Sequence, residues 1–337
     1  PPTAEPSKTP QISLPDTSLD SGSERKRKRS TSDSAGSSPN ARVFGDQVSV
    51  GLSSWTDCIN RKTLLVDKTE SLLAVIKGDP SEIILRPRWF GKTLHLRTIE
   101  AFFNYSCIVG MRARKQWLFR GMNIHKVDPN FVDEHCGKYP DVRPATLDEF
   151  RDSMAQAIFT VTNAWRHAIS DTSKVELNDS RDWLNQMKSN MRNNIDDSVK
   201  IPAELSSYLS RYCNAQCIVL VDEFDAPVTS APKEIREEVK RYMRRLLSPL
   251  AKNNDNVRKF IMAGIDPVNL DTSGSGLNNC IWYPLHEDSD SSREGASSYQ
   301  FAFGFTEEEV DALIGRVADK MGLVERQADQ LRGAARK

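Results

Sequence analysis

The chain has 337 residues, 38% of them hydrophobic and 27% charged, with 46 Lys and Arg against 46 Asp and Glu. That length admits one large domain or two ordinary ones, and a net charge of zero gives no global field to recruit nucleic acid or a membrane surface. No apolar run approaches the ~20 residues needed to cross a bilayer, so no membrane partner is expected, and a mean hydropathy of −0.52 marks much of the chain as polar.

Residues 1–42 are dominated by Pro, Ser, Thr, Asp and Lys. Such a segment buries too little surface to offset chain entropy, and disorder is expected. Within it stands Arg25-Lys26-Arg27-Lys28-Arg29, flanked by serines. It reads either as a nuclear-import signal or as a solvated basic linker. The expected location is intracellular, in nucleus or cytoplasm. The first residue is Pro and no signal peptide stands there, so the chain reads as a fragment. Cys58, Cys107, Cys136, Cys213, Cys217 and Cys280 lack C-x-x-C spacing. Free thiols in a reducing compartment are expected, with a zinc site as the alternative.

Order should begin near Val43. Residues 63–66 read as a strand, and 68–76 as a helix with Leu72, Leu73 and Ile76 on one face. Asp67 and Lys68 read as a helix cap and a surface charge. After the turn Gly78-Asp79-Pro80 comes the apolar run Ile83-Ile84-Leu85, then Arg86-Pro87-Arg88-Trp89-Phe90-Gly91-Lys92-Thr93, then a helix to Phe103. Strand, tight loop, Gly-Lys-Thr and helix form the layout of a phosphate-binding loop. Amides at the helix start hold phosphate oxygens, the Lys neutralises them, and the Thr hydroxyl ligates magnesium. The first Gly of the full pattern G-x-x-x-x-G-K-[ST] falls on Arg86. Arg86 and Arg88 would either clasp phosphate as forked donors or pair with a nearby carboxylate.

Ile99, Phe102 and Phe103 continue an apolar face, and Trp117, Leu118 and Phe119 read as a second packed helix end. His95, His125 and His135 share no metal-like spacing and read as surface or capping residues. Helices are expected over 146–167, around Trp183, Leu184 and Met187, and over 201–213, with a loop at 170–180. Cys217-Ile218-Val219-Leu220-Val221 is a continuous apolar run, the pattern of a buried parallel strand. It ends in Asp222-Glu223-Phe224-Asp225. A strand ending in adjacent carboxylates suits a metal ligand followed by a residue that polarises water.

Residues 233–250 form a helix in which Arg241, Arg244 and Arg245 are either a solvated face or the source of an arginine finger on a neighbouring subunit of a homo-oligomer. Phe260-Ile261-Met262-Ala263-Gly264 is a further buried strand, followed by Ile265-Asp266-Pro267 without a Thr, Asn or Ser sensor. Residues 285–299 read as a mobile insertion. Thr306-Glu307-Glu308-Glu309 is a capping box opening a helix to about Met321, before a charged helical tail.

In this order the stretches resemble the predicted AAA-ATPase-like family, P-loop proteins of bacteria and fungi. Leu65-Val66-Asp67-Lys68-Thr69 is similar to its YVDKT entry, and the resemblance implies that the Asp-Lys-Thr segment lies just ahead of the phosphate loop and near the base, as the alternative to a cap and a surface charge. The stretch from Arg86 to Leu94 resembles its RPRRFGKTL, in which Arg already replaces the first Gly; RPRxFGKT marks a fungal-type member. Leu118-Phe119-Arg120-Gly121 is similar to its LF-x-G, and Val221 through Pro227 to its IDEYDAP. Ser275 to Asn279 and Phe303 to Val310 also match, so the resemblance covers about residues 45–315.

The resemblance implies an α/β three-layer sandwich with a mostly parallel sheet and helical additions, a P-loop domain over 43–270 and an extension over 271–337. It implies ATP with magnesium as the nucleotide and cofactor. Lys92 and Glu223 would be catalytic; Arg86, Arg88, Phe90, Gly91, Lys92, Thr93 and Leu94 would contact the nucleotide; Thr93 and Asp222 would hold the metal. Three departures stand out: Trp89 replaces an Arg, Ala263 replaces a Thr, and the apolar strand that should follow Tyr139-Pro140 in the centre of the sheet is missing. The alternatives to slow hydrolysis are a nucleotide-gated interaction module acting on a protein partner, and a degenerate member without catalysis. Kinship with nuclease-linked relatives leaves a nucleic-acid partner open, although no basic and aromatic face in the sequence supports one, and no nuclease domain is expected.

Overall fold

A computed structural model of the protein describes residues 43–45, 47, 55–105, 110–142, 152–190, 199–268, 277–285, 299 and 302–335. The expectations for residues 1–42, for Cys107, for the start of the 146–167 helix and for most of the 285–299 insertion lie outside these residues.

Seven strands are described: β1 (Val43–Phe44), β2 (Leu65–Val66), β3 (Ser81–Leu85), β4 (Asp141–Val142), β5 (Cys217–Val221), β6 (Val257–Gly264) and β7 (Ile281–Tyr283). β1 and β2 make a small antiparallel pair. The other five form one sheet in the order β4-β5-β6-β3-β7, parallel throughout. The continuous apolar runs are explained by burial on both faces. Ile83, Leu85, Cys217, Val219, Val221, Phe260 and Met262 face one core, which the helices Ile201–Cys213 and Arg236–Ala251 cover. Ile84, Ile218, Leu220, Ile261 and Ala263 face the other, covered by Leu72–Lys77, Lys92–Phe103 and Pro129–His135. Side chains alternate across a strand, so the two cores lie on opposite faces and the sheet is the middle of three layers. The expected α/β P-loop sandwich is the fold observed.

After Tyr139-Pro140, where the apolar strand is expected to be missing, stands the two-residue β4, at an edge of the sheet among the described residues. It pairs Asp141 with Ile218 and Val142 with Val219. The Trp165 indole N–H donates to the Asp141 carbonyl at 2.9 Å. The strand between β3 and β5 is β6, paired with both. β7 lies beyond residue 270 and pairs in parallel with β3.

Smaller differences have local causes. The 68–76 helix divides into a 3-10 turn, Thr69–Ser71, and an α-helix, Leu72–Lys77, whose buried residues are Leu72, Ala74 and Val75. Trp117 is exposed, while Phe119 is fully buried and stacks on Trp55. The loop expected at 170–180 holds a 3-10 turn, Val175–Leu177, and the start of the helix Asn178–Asn190. The capping box forms as read, opening the helix Glu307–Met321.

Candidate functional site

The loop between β3 and the helix Lys92–Phe103 begins at Arg86, whose N–H donates to the Gly264 carbonyl at the tip of β6 (3.1 Å). Trp89 is 96% exposed and takes φ 71°, in the left-handed region that costs a non-glycine residue energy. Gly91 takes φ 79° and precedes a helix start that no side chain caps. The first amides of that helix therefore lack a side-chain partner, and with the helix dipole they form an anion site. Thr93 follows Lys92 in the first turn.

Lys92 is buried, and its ammonium donates to the carbonyls of Arg86 at 2.8 Å and Pro87 at 2.9 Å. Burial lowers its pKa. The carboxylates of Asp222, Asp225 and Glu223 pull it back up, and Arg88 pushes it down. The lysine from the end of β3 and the acids from the end of β5 thus share one electrostatic field. The topology explains this: both strands are parallel and only β6 separates them, about 10 Å across the sheet.

At the end of β5, Asp222 and Glu223 are half-buried. Glu223 takes φ 51°, and its N–H donates to Asp222 Oδ1 at 3.0 Å. Such strain persists only where the surroundings impose it. Asp225 is buried, and its Oδ2 accepts from the N–H groups of Ile265 (3.1 Å) and Asp266 (3.0 Å). A Cβ at Gly264 would come within 2.7 Å of Asp225 Oδ1 and 2.6 Å of the Phe224 ring, so the clamp needs glycine there. This clamp was missed in the sequence, although Asp225 and Gly264 were both in view. At the tip of β6, where the sequence has no polar sensor, two amides are held by a carboxylate.

Arg86 is held by main-chain carbonyls and an aromatic ring. Its Nη1 donates to the carbonyls of Leu85 and Tyr283, each at 2.7 Å, and its guanidinium lies 5.2 Å from the centre of the Phe303 ring. It is buried, and burial lowers its pKa. It joins the loop to the end of β7. Arg88 is exposed. Phe90 is half-buried, and its carbonyl accepts from Gly304 N–H at 3.2 Å, which straps the loop to the turn before the last helices.

Asp67 and Lys68 are not a simple cap and surface charge. Asp67 Oδ1 accepts from both the N–H (3.0 Å) and the hydroxyl (2.6 Å) of Thr69, and Oδ2 accepts from Asn123 N–H at 2.8 Å. One buried carboxylate therefore holds the starts of two helical segments. Lys68 pairs with Glu309 at 2.7 Å. Beside the phosphate loop, a cavity of about 100 Å³ is lined by Trp55, Val66, Phe90, Leu94, His95 and Phe305, among others. His95 is buried rather than at the surface as expected.

The arrangement suits a polyphosphate. It offers a helix start for anions, a buried ammonium, and hard oxygen donors at Thr93 and Asp222. Among the described residues no three of His, Cys, Asp and Glu converge as a metal cage. That donor set fits magnesium, which takes one or two protein ligands and completes its shell with phosphate and water.

A family model described as Predicted AAA-ATPase matches residues 49–272. A protein of Azotobacter chroococcum mcd 1, described as an uncharacterized protein in the vnfD 5' region, is 26% identical over 256 residues, which is 74% of this chain and 41% of that protein. The chain therefore spans less than half the length of this relative. No solved structure matches.

Proposed function

The chain belongs to the predicted AAA-ATPase family, and from that premise we propose that it binds ATP with magnesium and hydrolyses it slowly at the loop 86–93. The observation that carries this reading is Lys92, a buried ammonium at an uncapped helix start, in the field of Asp222, Glu223 and Asp225. The helix amides and Lys92 bind the β and γ phosphates. For a phosphate to take Lys92, its ammonium leaves the Arg86 and Pro87 carbonyls. Thr93 and Asp222 would hold magnesium, which supplies charge neutralisation between the phosphates. Glu223 orients a water and receives its proton. The strained backbone at Glu223 and its N–H bond to Asp222 fix the two carboxylates relative to each other.

Binding of fluorescent ATP with magnesium to the full chain tests this. Micromolar binding that Lys92→Ala abolishes supports it; a folded wild-type protein that does not bind overturns it. A second reading, a nucleotide-gated interaction module, draws on the tip of β6, where Asp225 occupies amides and Ala263 stands in place of a hydroxyl. Under it, Glu223→Gln leaves binding intact and has no turnover to remove. The nuclear reading rests on the basic run from Arg25 to Arg29. A fluorescent fusion of residues 1–42 that stays cytoplasmic would overturn it. Arg241, exposed on the helix Arg236–Ala251, is the residue to replace if the protein assembles and hydrolysis depends on its concentration.

A further inference from the structure

The cavity beside the phosphate loop is bounded by Phe90, Gly91 and Leu94 from the loop and its helix, by Val66 and Thr69 from the β2 segment, and by Gly304 and Phe305 from the later turn. Its lining is mostly apolar and aromatic. Trp55 is backed by Phe119, with ring centres 5.6 Å apart. Lys68 at its edge is occupied by Glu309. Among the described residues that line it, His95 carries a buried side-chain nitrogen without a hydrogen-bond partner.

His95 packs edge-on against Phe303, ring centres 4.8 Å apart, and against Tyr299 at 6.0 Å. Its Nδ1 lies 3.4 Å from the Ser71 hydroxyl oxygen. That hydroxyl has one hydrogen, and it is donated to the Lys68 carbonyl at 2.6 Å. Toward His95, Ser71 can only accept. Nδ1 therefore carries the imidazole proton, and Nε2 is left as a bare acceptor, buried and without a partner. A buried acceptor without a donor is a standing cost that a ligand donor relieves.

We infer that this cavity seats the nucleobase and that His95 Nε2 accepts a hydrogen bond from an amino group on it, so that adenine is taken in preference to a 6-oxo purine. The inference rests on the nucleotide reading above. The phosphate loop anchors one end of the ligand, and the cavity begins at Phe90 and Gly91 of that same loop. A 6-oxo group would meet the Nε2 lone pair with another lone pair. A site built to hydrogen-bond one group rejects an analogue lacking it more strongly than an apolar pocket does.

The test is displacement of fluorescent ATP from the full chain by ATP, ITP and tripolyphosphate, each with magnesium. ATP differs from ITP at the 6-amino group, and tripolyphosphate has no base. The expected result is that ATP competes at least about tenfold better than ITP, and ITP better than tripolyphosphate. His95→Phe, close to isosteric, should bring ATP and ITP within about threefold while tripolyphosphate is unaffected. Ser71→Ala, which frees the tautomer, should narrow the gap without touching the ring. Equal competition by ATP and ITP in the wild type, or a gap that survives both substitutions, overturns the role of His95. Tripolyphosphate as strong as ATP overturns the base seat and leaves the phosphate reading standing. Failure of all three to bind overturns both.

Discussion

Lys68 and Glu309 stand 241 positions apart, and the ammonium of one meets the carboxylate of the other at 2.7 Å. The same Glu309 Oε2 accepts from Thr306 N–H at 2.8 Å, closing the capping box of the last long helix. One carboxylate thus caps a helix and ties it to the β2 segment. The pair is 19% and 11% exposed, sheltered enough that its bond should count. Glu309→Ala is expected to lower stability by about 1–3 kcal/mol. Lys68→Met should cost less, and the double variant less than the two singles combined. Denaturant unfolding of the four proteins measures this coupling, and strictly additive losses would mean that the ion pair contributes nothing.

Arg86 and Arg88 should separate stability from binding. Arg86 holds the Leu85 and Tyr283 carbonyls, so Arg86→Leu leaves two buried acceptors without their donor. A loss of about 2–3 kcal/mol is expected, with nucleotide affinity changed little once the variant is folded. Arg88 is exposed and acts on Lys92 through its charge. Arg88→Leu should weaken nucleotide binding severalfold while the melting temperature holds. The reverse pattern would restore Arg86 as the phosphate clasp.

His95 sets a pH dependence whose sign follows from its burial. Its folded pKa is about 4 against an ordinary 6.5. Below pH 6.5 the unfolded chain takes up a proton that the folded chain refuses, so stability falls as pH falls toward 4. By pH 5 this amounts to about 2 kcal/mol. Glu100 and Asp141 act in the opposite direction, since burial raises them to about 7 and about 6. The wild-type curve alone is therefore not diagnostic. The difference between wild type and His95→Phe cancels those groups, and it should grow in favour of the variant from pH 7 to pH 5. A constant difference would show that the imidazole is accessible to protons in the folded state.

The strands β3 and β6 are cross-linked by Glu82 and Lys259, 2.6 Å apart and almost wholly buried. Tyr299 donates its hydroxyl to Glu82 at 2.8 Å, and Lys259 also donates to the carbonyl of Asp79. Burial raises the Glu82 pKa although Lys259 opposes it, and burial lowers the Lys259 pKa although Glu82 opposes it. Glu82→Leu leaves the ammonium uncompensated and should cost about 3–5 kcal/mol. Adding Lys259→Met should recover part of that loss in thermal unfolding. A double variant less stable than the single would show that the pair stabilises beyond what packing can replace.

The sequence by itself determined the elements whose signal is local. The strand, loop and helix through 81–103 were legible because Ile83, Ile84 and Leu85 stand directly before Gly-Lys-Thr. The acid strand was legible because five apolar residues run unbroken into Asp222, and the last long helix because Thr306 and Glu309 are three positions apart. Only the tertiary structure decided what depends on distant partners. β6 sits between β3 and β5, and β7 completes the sheet from beyond residue 270; parallel strands pair through crossovers that leave no periodic mark on either strand. Arg86 faces the Tyr283 carbonyl, Lys68 finds Glu309, and His95 lies between Ser71 and Phe303. A charged or polar side chain reads as solvated until the chain that buries it is in place, because burial is a property of the assembled neighbours and not of the residue.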